Sequence, residues 1–248
     1  MTLKLITFDV TGTLLALRES VGLQYAKVGL HHGINAPPDE LSKQFYSVFK
    51  KLLIQHPNFG ESDIGWQEWW RQLVFHTFQD SLPSKNLDKS PALDRISLDL
   101  IEAYKTTECW KLAEGTTSLL DKLSNTSLRL GVISNYDPRL EDILKGLNIH
   151  KYFNFVLTSY SAKCQKPDPA IFKIVEDMNK DLMQNEIMHI GDNPKLDFMG
   201  AKGAGWNSLL LAENTSKIVD SFPEIKEEWI VKNVNEIYPA LKNKNLVL

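Results

Sequence analysis

Apolar positions along this chain follow two patterns. From Leu3 to Phe8 they run almost unbroken, as in a strand buried on both faces, and the run stops at Asp9. Between residues 16 and 110 they recur at helical spacing. Val21, Tyr25 and Val28 share one face of a segment that opens on Ser20, a capping residue, and closes on Gly33. Leu41, Phe45, Val48 and Leu52 form the next stripe, after prolines and acids suited to a first turn. Trp66, Trp69, Trp70, Leu73 and Phe78 form a third, and Leu93, Ile96, Leu100 and Tyr104 a fourth behind Pro91. Four amphipathic segments with no strand between them predict a small helical bundle.

After Trp110 short apolar runs alternate with helical segments. Helices are predicted over 116–123, 138–147, 169–178 and 195–204. The runs "LRLGVIS", "FNFVLTS", "EIMHIGD" and "NSLLLAE" separate or follow them as strands. Strand–helix alternation predicts an α/β fold, a Rossmann-like parallel sheet with helices on both faces. The opening strand needs that sheet as its partner. The expected organisation is therefore a core of residues 1–15 and 111–248 with a four-helix cap, 16–110, inserted into it.

Composition narrows the classes. The chain has 248 residues, 43% of them hydrophobic and 24% charged, which suits a folded core with a smaller insertion. Its net charge is -3 with no basic tract, so neither nucleic acid nor a membrane surface is an expected partner. No apolar run is long enough to cross a bilayer. The first strand begins close to Met1, which leaves no room for a signal peptide. The two cysteines, Cys109 and Cys164, have no paired spacing. An intracellular, reducing location such as the cytoplasm is the expectation.

In open parallel sheets ligands bind beyond the carboxyl ends of the strands. Those ends carry Asp9, Ser134 with Asn135, the Lys166 loop, and Asp192 with Asp197. Singly, each has a plain structural reading. Asp9 could cap a turn, Ser134, Asn135 and Asp137 could cap a helix, Lys166 could be a solvated loop lysine, and Asp192 and Asp197 could start a helix. His189 reads as a hydrogen-bonded strand residue, and His31 and His32 as bundle surface. Their occurrence in order, each at a strand end, favours a site.

"FDVTGTLL", "VISN", "KPDPAIF" and "HIGDNPKLD" resemble, in that order, the four motifs of the haloacid dehalogenase superfamily of phosphohydrolases, over essentially the whole chain. The insertion resembles that superfamily's helical cap. The resemblance implies Asp9 as a nucleophile that forms an aspartyl-phosphate, its second oxygen binding Mg²⁺. It implies the Thr11 carbonyl and Asp192 as further metal ligands. Ser134, Asn135, Thr13 and Lys166 would bind the phosphate of a small phosphorylated substrate. Lys166 would bridge nucleophile and phosphate, and Asp197 would orient Lys166 or a water on the cation. The chemistry asks for such a set on its own account. A carboxylate attacking a phosphate monoester needs a hard cation to offset repulsion, and fixed donors for the equatorial oxygens.

One position departs from the family pattern. Its phosphatases usually carry an aspartate two residues after the nucleophile, which protonates the leaving oxygen and then primes water. Here that place holds Thr11, which cannot trade protons near neutral pH. "DVTGT" is instead similar to the phosphorylation motif of P-type ATPases, where the aspartyl-phosphate persists. Three functions stay open: a Mg²⁺-dependent phosphohydrolase that is slow or needs a good leaving group, a silent phosphate- or metabolite-binding protein, and a carbon–halogen hydrolase.

Overall fold

A computed structural model describes residues 2–82 and 91–247; residues 83–90 of the expected helical insertion lie outside them. Six strands form one parallel sheet in the order β5-β4-β1-β6-β7-β8. They are β1 (Leu5–Phe8), β4 (Arg129–Ser134), β5 (Phe155–Thr158), β6 (Ile187–Gly191), β7 (Asn207–Leu211) and β8 (Ile230–Val231). β1 is central because it is buried on both faces. Leu5 packs on one side with Ile133, Ile171, Phe172, Ile187 and Trp206. Ile6, Phe8, Leu130, Val132, Met188 and Ile190 alternate with these and are buried too.

The helices of this unit are α6 (Thr116–Ser124), α7 (Leu140–Gly146), α8 (Ser159–Ala162), α9 (Pro169–Met178), α10 (Gly200–Gly203), α11 (Thr215–Ser221) and α12 (Ile237–Asn243). They lie on both faces of the sheet, as the alternation of runs and helices predicts. Two boundaries differ from the sequence reading. α7 begins at Leu140 rather than Pro138, and the segment expected as a helix from Lys195 opens as a π-helical stretch, Pro194–Met199. Asn193 caps that stretch by accepting from the Lys195 and Leu196 amides.

Residues 17–111 form a second compact unit, and the residues up to Ala16 together with those from Leu112 onward form the first. The chain crosses between them at a two-stranded ribbon, β2 (Leu15–Leu17) with β3 (Trp110–Leu112), which periodicity did not predict. The second unit holds α1 (Val21–His31), α2 (Pro38–Gln55), a single turn α3 (Pro57–Gly60), α4 (Trp66–Ser81) and α5 (Pro91–Ala103). Ser20 caps α1 by accepting from the Leu23 amide. The core is aromatic: Tyr25 meets Phe45 edge-on at 5.5 Å and stacks on Phe78 at 6.0 Å. α1 uses glycine for close packing, because a Cβ on Gly22 would fall 1.8 Å from the Pro38 carbonyl oxygen. Its buried face therefore includes Gly22 and Gly29, and Val28 is only half-buried.

Candidate active site

Asp9 follows β1 directly, and its amide donates to the Ile190 carbonyl at 2.8 Å, so it continues the β1–β6 ladder. β4 ends beside it at Ser134, and β6 ends beside it at Gly191, immediately before Asp192. The turn after Asp9 depends on Gly12. Its φ is +89°, and a Cβ there would sit 2.4 Å from Asp192 Oδ2. Gly191 has the same spatial requirement, since its Cβ would lie 2.2 Å from the Asp197 carboxyl carbon.

Lys166 is the centre of the arrangement. Its side chain is 1% exposed, and Nζ donates to Asp9 Oδ1 at 2.8 Å, to Asp197 Oδ1 at 2.6 Å and to the Ile133 carbonyl at 2.7 Å. Ser134 Oγ donates to the same Asp9 oxygen at 3.0 Å. Asp197 is tied down at both oxygens, with Oδ2 accepting from the Asn193 amide at 2.8 Å and Oδ1 also 3.1 Å from His189 Nε2. Thr13, fully buried, donates to Asp192 Oδ1 at 3.3 Å.

A buried ammonium flanked by two carboxylates persists only because each charge has partners. Burial alone lowers the pKa of Lys166; Asp9 and Asp197 outweigh it and raise the pKa above the usual lysine value. The two acids are driven in opposite directions. Burial pushes the Asp9 carboxyl up to about 7 against the pull of Lys166, and the Asp197 charge adds to the push. Burial also opposes ionisation of Asp197, but Lys166 and the His189 hydrogen bond hold it well below the ordinary carboxylate range. Burial, then the Asp197 charge, raises Asp192. One lysine thus faces three acids, and Asp197, which has the most donors, keeps its charge most readily while Asp9 and Asp192 are held toward the neutral form.

The structure brings together Asp9, Lys166, Ser134, Asp192, Asp197 and Thr13, as expected from the order of motifs. The Asn135 carboxamide donates to the Lys166 carbonyl at 2.9 Å and accepts from the Lys166 amide at 2.8 Å, so it clamps that loop's backbone. Thr13 likewise spends its hydroxyl on Asp192. Thr11 lies exposed in the turn. Asp137, read as a helix cap, does accept from the Arg139 amide, but it also forms a fully buried ion pair with the Arg139 guanidinium. His189, which the sequence places only as a hydrogen-bonded strand residue, contacts the cluster directly. The available signal was a polar pair, Thr7 and His189, inside two otherwise apolar strand runs, because buried polar groups find partners.

Carboxylate oxygens of Asp9, Asp192 and Asp197 lie within 4.8 Å of one another, the one such cluster of acids, histidines or cysteines found among the described residues. Three hard oxygen donors with a single lysine between them suit a divalent cation such as Mg²⁺. Asp9 and Asp192 are the better placed to hold one, because both oxygens of Asp197 already accept hydrogen bonds.

Residues 3–205 match the family model of haloacid dehalogenase-like hydrolases. The chain is 38% identical to the Rhythmically expressed gene 2 protein of Drosophila melanogaster over 221 residues, 86% of this chain and 84% of that protein. Among solved structures it resembles YfnB of Bacillus subtilis bound to magnesium, with TM-score 0.69, 16% identity, and coverage of 98% and 100%. It also resembles a 2-haloacid dehalogenase of Pseudomonas syringae pv. Tomato, with TM-score 0.66, 21% identity, and coverage of 98% and 100%.

Proposed function

The chain belongs to the haloacid dehalogenase-like hydrolase family, and from that premise we propose that it is a Mg²⁺-dependent phosphohydrolase acting on a small phosphorylated metabolite through an aspartyl-phosphate on Asp9. The observation that carries this reading is Asp192. Displacement at a carbon–halogen bond needs no cation at the nucleophile, so a second carboxylate within 4.8 Å of Asp9 would have no metal to hold there. Attack on a phosphate monoester brings up to two negative charges onto the reacting group itself, and then a cation between Asp9 and Asp192 is useful.

The Asp9 carboxylate attacks phosphorus, the ester P–O bond breaks, and the alcohol oxygen leaves with its electron pair. Lys166 and Ser134 donate to the oxygens around Asp9 as charge redistributes. Asp197 holds Lys166 in place, and Asn135 holds the loop that carries it. A divalent cation held by Asp9, Asp192 and the Thr11 carbonyl would screen the carboxylate from the phosphate. Water then attacks the phosphorus of the aspartyl-phosphate, the acyl P–O bond breaks, and Asp9 returns as carboxylate with release of phosphate. Thr11 supplies no proton to the leaving oxygen and takes none from the water, so solvent does both, slowly.

Thr11 also favours a second reading, a phosphate- or metabolite-binding regulator with little turnover. Release of phosphate from nitrophenyl and acetyl phosphates, with Mg²⁺ and with chelator, separates the readings. Metal-dependent release supports the phosphohydrolase. Metal-independent halide release from 2-chloropropionate would replace it with a dehalogenase. Tight phosphate binding without either activity would favour the regulator. No helix among the described residues is long and apolar enough to cross a membrane.

A further inference from the structure

The three hydrogens on Lys166 Nζ have three acceptors, in Asp9, Asp197 and the Ile133 carbonyl. His189 Nε2 is also near, at 3.4 Å, but no lysine hydrogen is left for it. Its closer neighbour is Asp197 Oδ1 at 3.1 Å. An ionised carboxylate only accepts, so the hydrogen in that contact has to come from the imidazole. Nδ1 is then the acceptor, and it takes the Thr7 hydroxyl hydrogen at 2.8 Å. The reverse tautomer would aim a nitrogen lone pair at a buried carboxylate and leave the Thr7 hydroxyl a long 3.4 Å contact to the Met188 carbonyl.

The surroundings give this ring one orientation. Thr7 and His189 are register partners on β1 and β6, and both are fully buried. Phe172 of α9 packs edge-on against the imidazole at 5.9 Å. We propose that His189, backed by Thr7, is a positioning residue: its Nε2–H locks the Asp197 carboxylate, and Asp197 aims Lys166 at Asp9. The proposal rests on the phosphohydrolase reading. Its physical logic is that Lys166 exchanges partners when Asp9 becomes phosphorylated. An Asp197 held by hydrogens from Lys166, His189 and the Asn193 amide cannot swing with it, so the ammonium stays where the transferred oxygens gather.

His189→Asn and His189→Gln separate positioning from filling. A glutamine amide reaches the place of Nε2 and can donate to Asp197; an asparagine amide stops near Nδ1. With nitrophenyl phosphate, His189→Asn is expected to lower kcat by about tenfold or more, the range typical of residues that orient a ligand-bearing side chain. KM and Mg²⁺ affinity should stay within about twofold, and His189→Gln should recover most of kcat. Thr7→Val, which keeps volume and removes the hydroxyl, should lower kcat in the same direction and serves if the histidine variants fail to fold. Equal loss in the Asn and Gln variants, or none in a folded Asn variant, overturns the proposal. ¹⁵N spectra of the wild-type imidazole provide a readout that needs no turnover. A hydrogen on Nε2 is expected, and a hydrogen on Nδ1 alone overturns the proposal even for an inactive protein. Absence of wild-type turnover would count against the phosphohydrolase reading, and the spectrum would still decide the hydrogen-bond chain.

Discussion

Asn135 grips Lys166 by its main chain, accepting from the amide at 2.8 Å and donating to the carbonyl at 2.9 Å. The pair closes a ring like a turn of β-ladder, across 31 residues of sequence. It fixes where the lysine side chain starts its path into the interior. Asn135→Ala should leave two main-chain groups unsatisfied and cost about 1–3 kcal/mol of stability. Turnover should fall further than the stability loss explains, because Nζ loses its registration on Asp9. Chemical denaturation alongside kcat on the same preparation checks this; a destabilised variant with wild-type kcat would refute it.

Asp9→Asn should keep the fold, since Lys166 retains Asp197 and the Ile133 carbonyl. Turnover should drop by at least about 10³-fold, as for other covalent nucleophiles. Mass spectrometry after brief exposure to acetyl phosphate should find a phosphoryl adduct on the wild type and none on the variant. An adduct of equal yield on both would place the nucleophile elsewhere.

Mg²⁺ should stabilise the wild-type protein. At a hundred times its dissociation constant the linkage amounts to about 2.7 kcal/mol. Asp192→Asn should lose most of that increment. Asp220→Ala removes an exposed charge and serves as the charge-matched control. Thermal melts with and without Mg²⁺ read the difference, and equal increments in the two variants would exclude Asp192 as a ligand.

Gly12→Ala and Gly33→Ala share a backbone penalty but not a clash. Both glycines have positive φ, +89° and +79°, and adding a Cβ there costs about 1–2 kcal/mol. Only at Gly12 does the new carbon meet Asp192, at 2.4 Å from Oδ2; at Gly33 nothing lies within 4 Å. Both variants should therefore melt early, and only Gly12→Ala should weaken Mg²⁺ binding by calorimetry. Matching affinities in the two would mean that Asp192 moves aside without consequence.

Thr11→Asp should raise turnover, and more for alkyl than for nitrophenyl phosphates. An alkoxide needs a proton as it leaves, and a placed acid is worth roughly 10²–10⁴-fold. Exposure of Thr11 in its turn leaves space for the longer side chain. Unchanged rates on both substrates would show that another group already supplies the proton.

The strand at Leu3–Phe8, the alternation after Trp110 and the four helical stripes were legible because periodicity records which side of an element faces the core. The candidate residues at strand ends were legible for a related reason: parallel topology gathers the carboxyl ends of strands at one edge, whatever their order along the chain. Neither signal reaches the packing of α1 on Gly22 and Gly29, where what matters is the missing side chain.

By itself the sequence determined the parallel sheet with its helical insertion and the set of residues gathered at one sheet edge. Tertiary structure alone decided what each of them touches. Asn135 clamps a backbone, Thr13 serves Asp192, and His189 joins Thr7 to Asp197 because register pairs β1 with β6 across 182 residues. A hydrogen bond depends on tenths of an ångström between side chains far apart in the chain. Hydrophobic periodicity is a property of neighbours and carries no such distance.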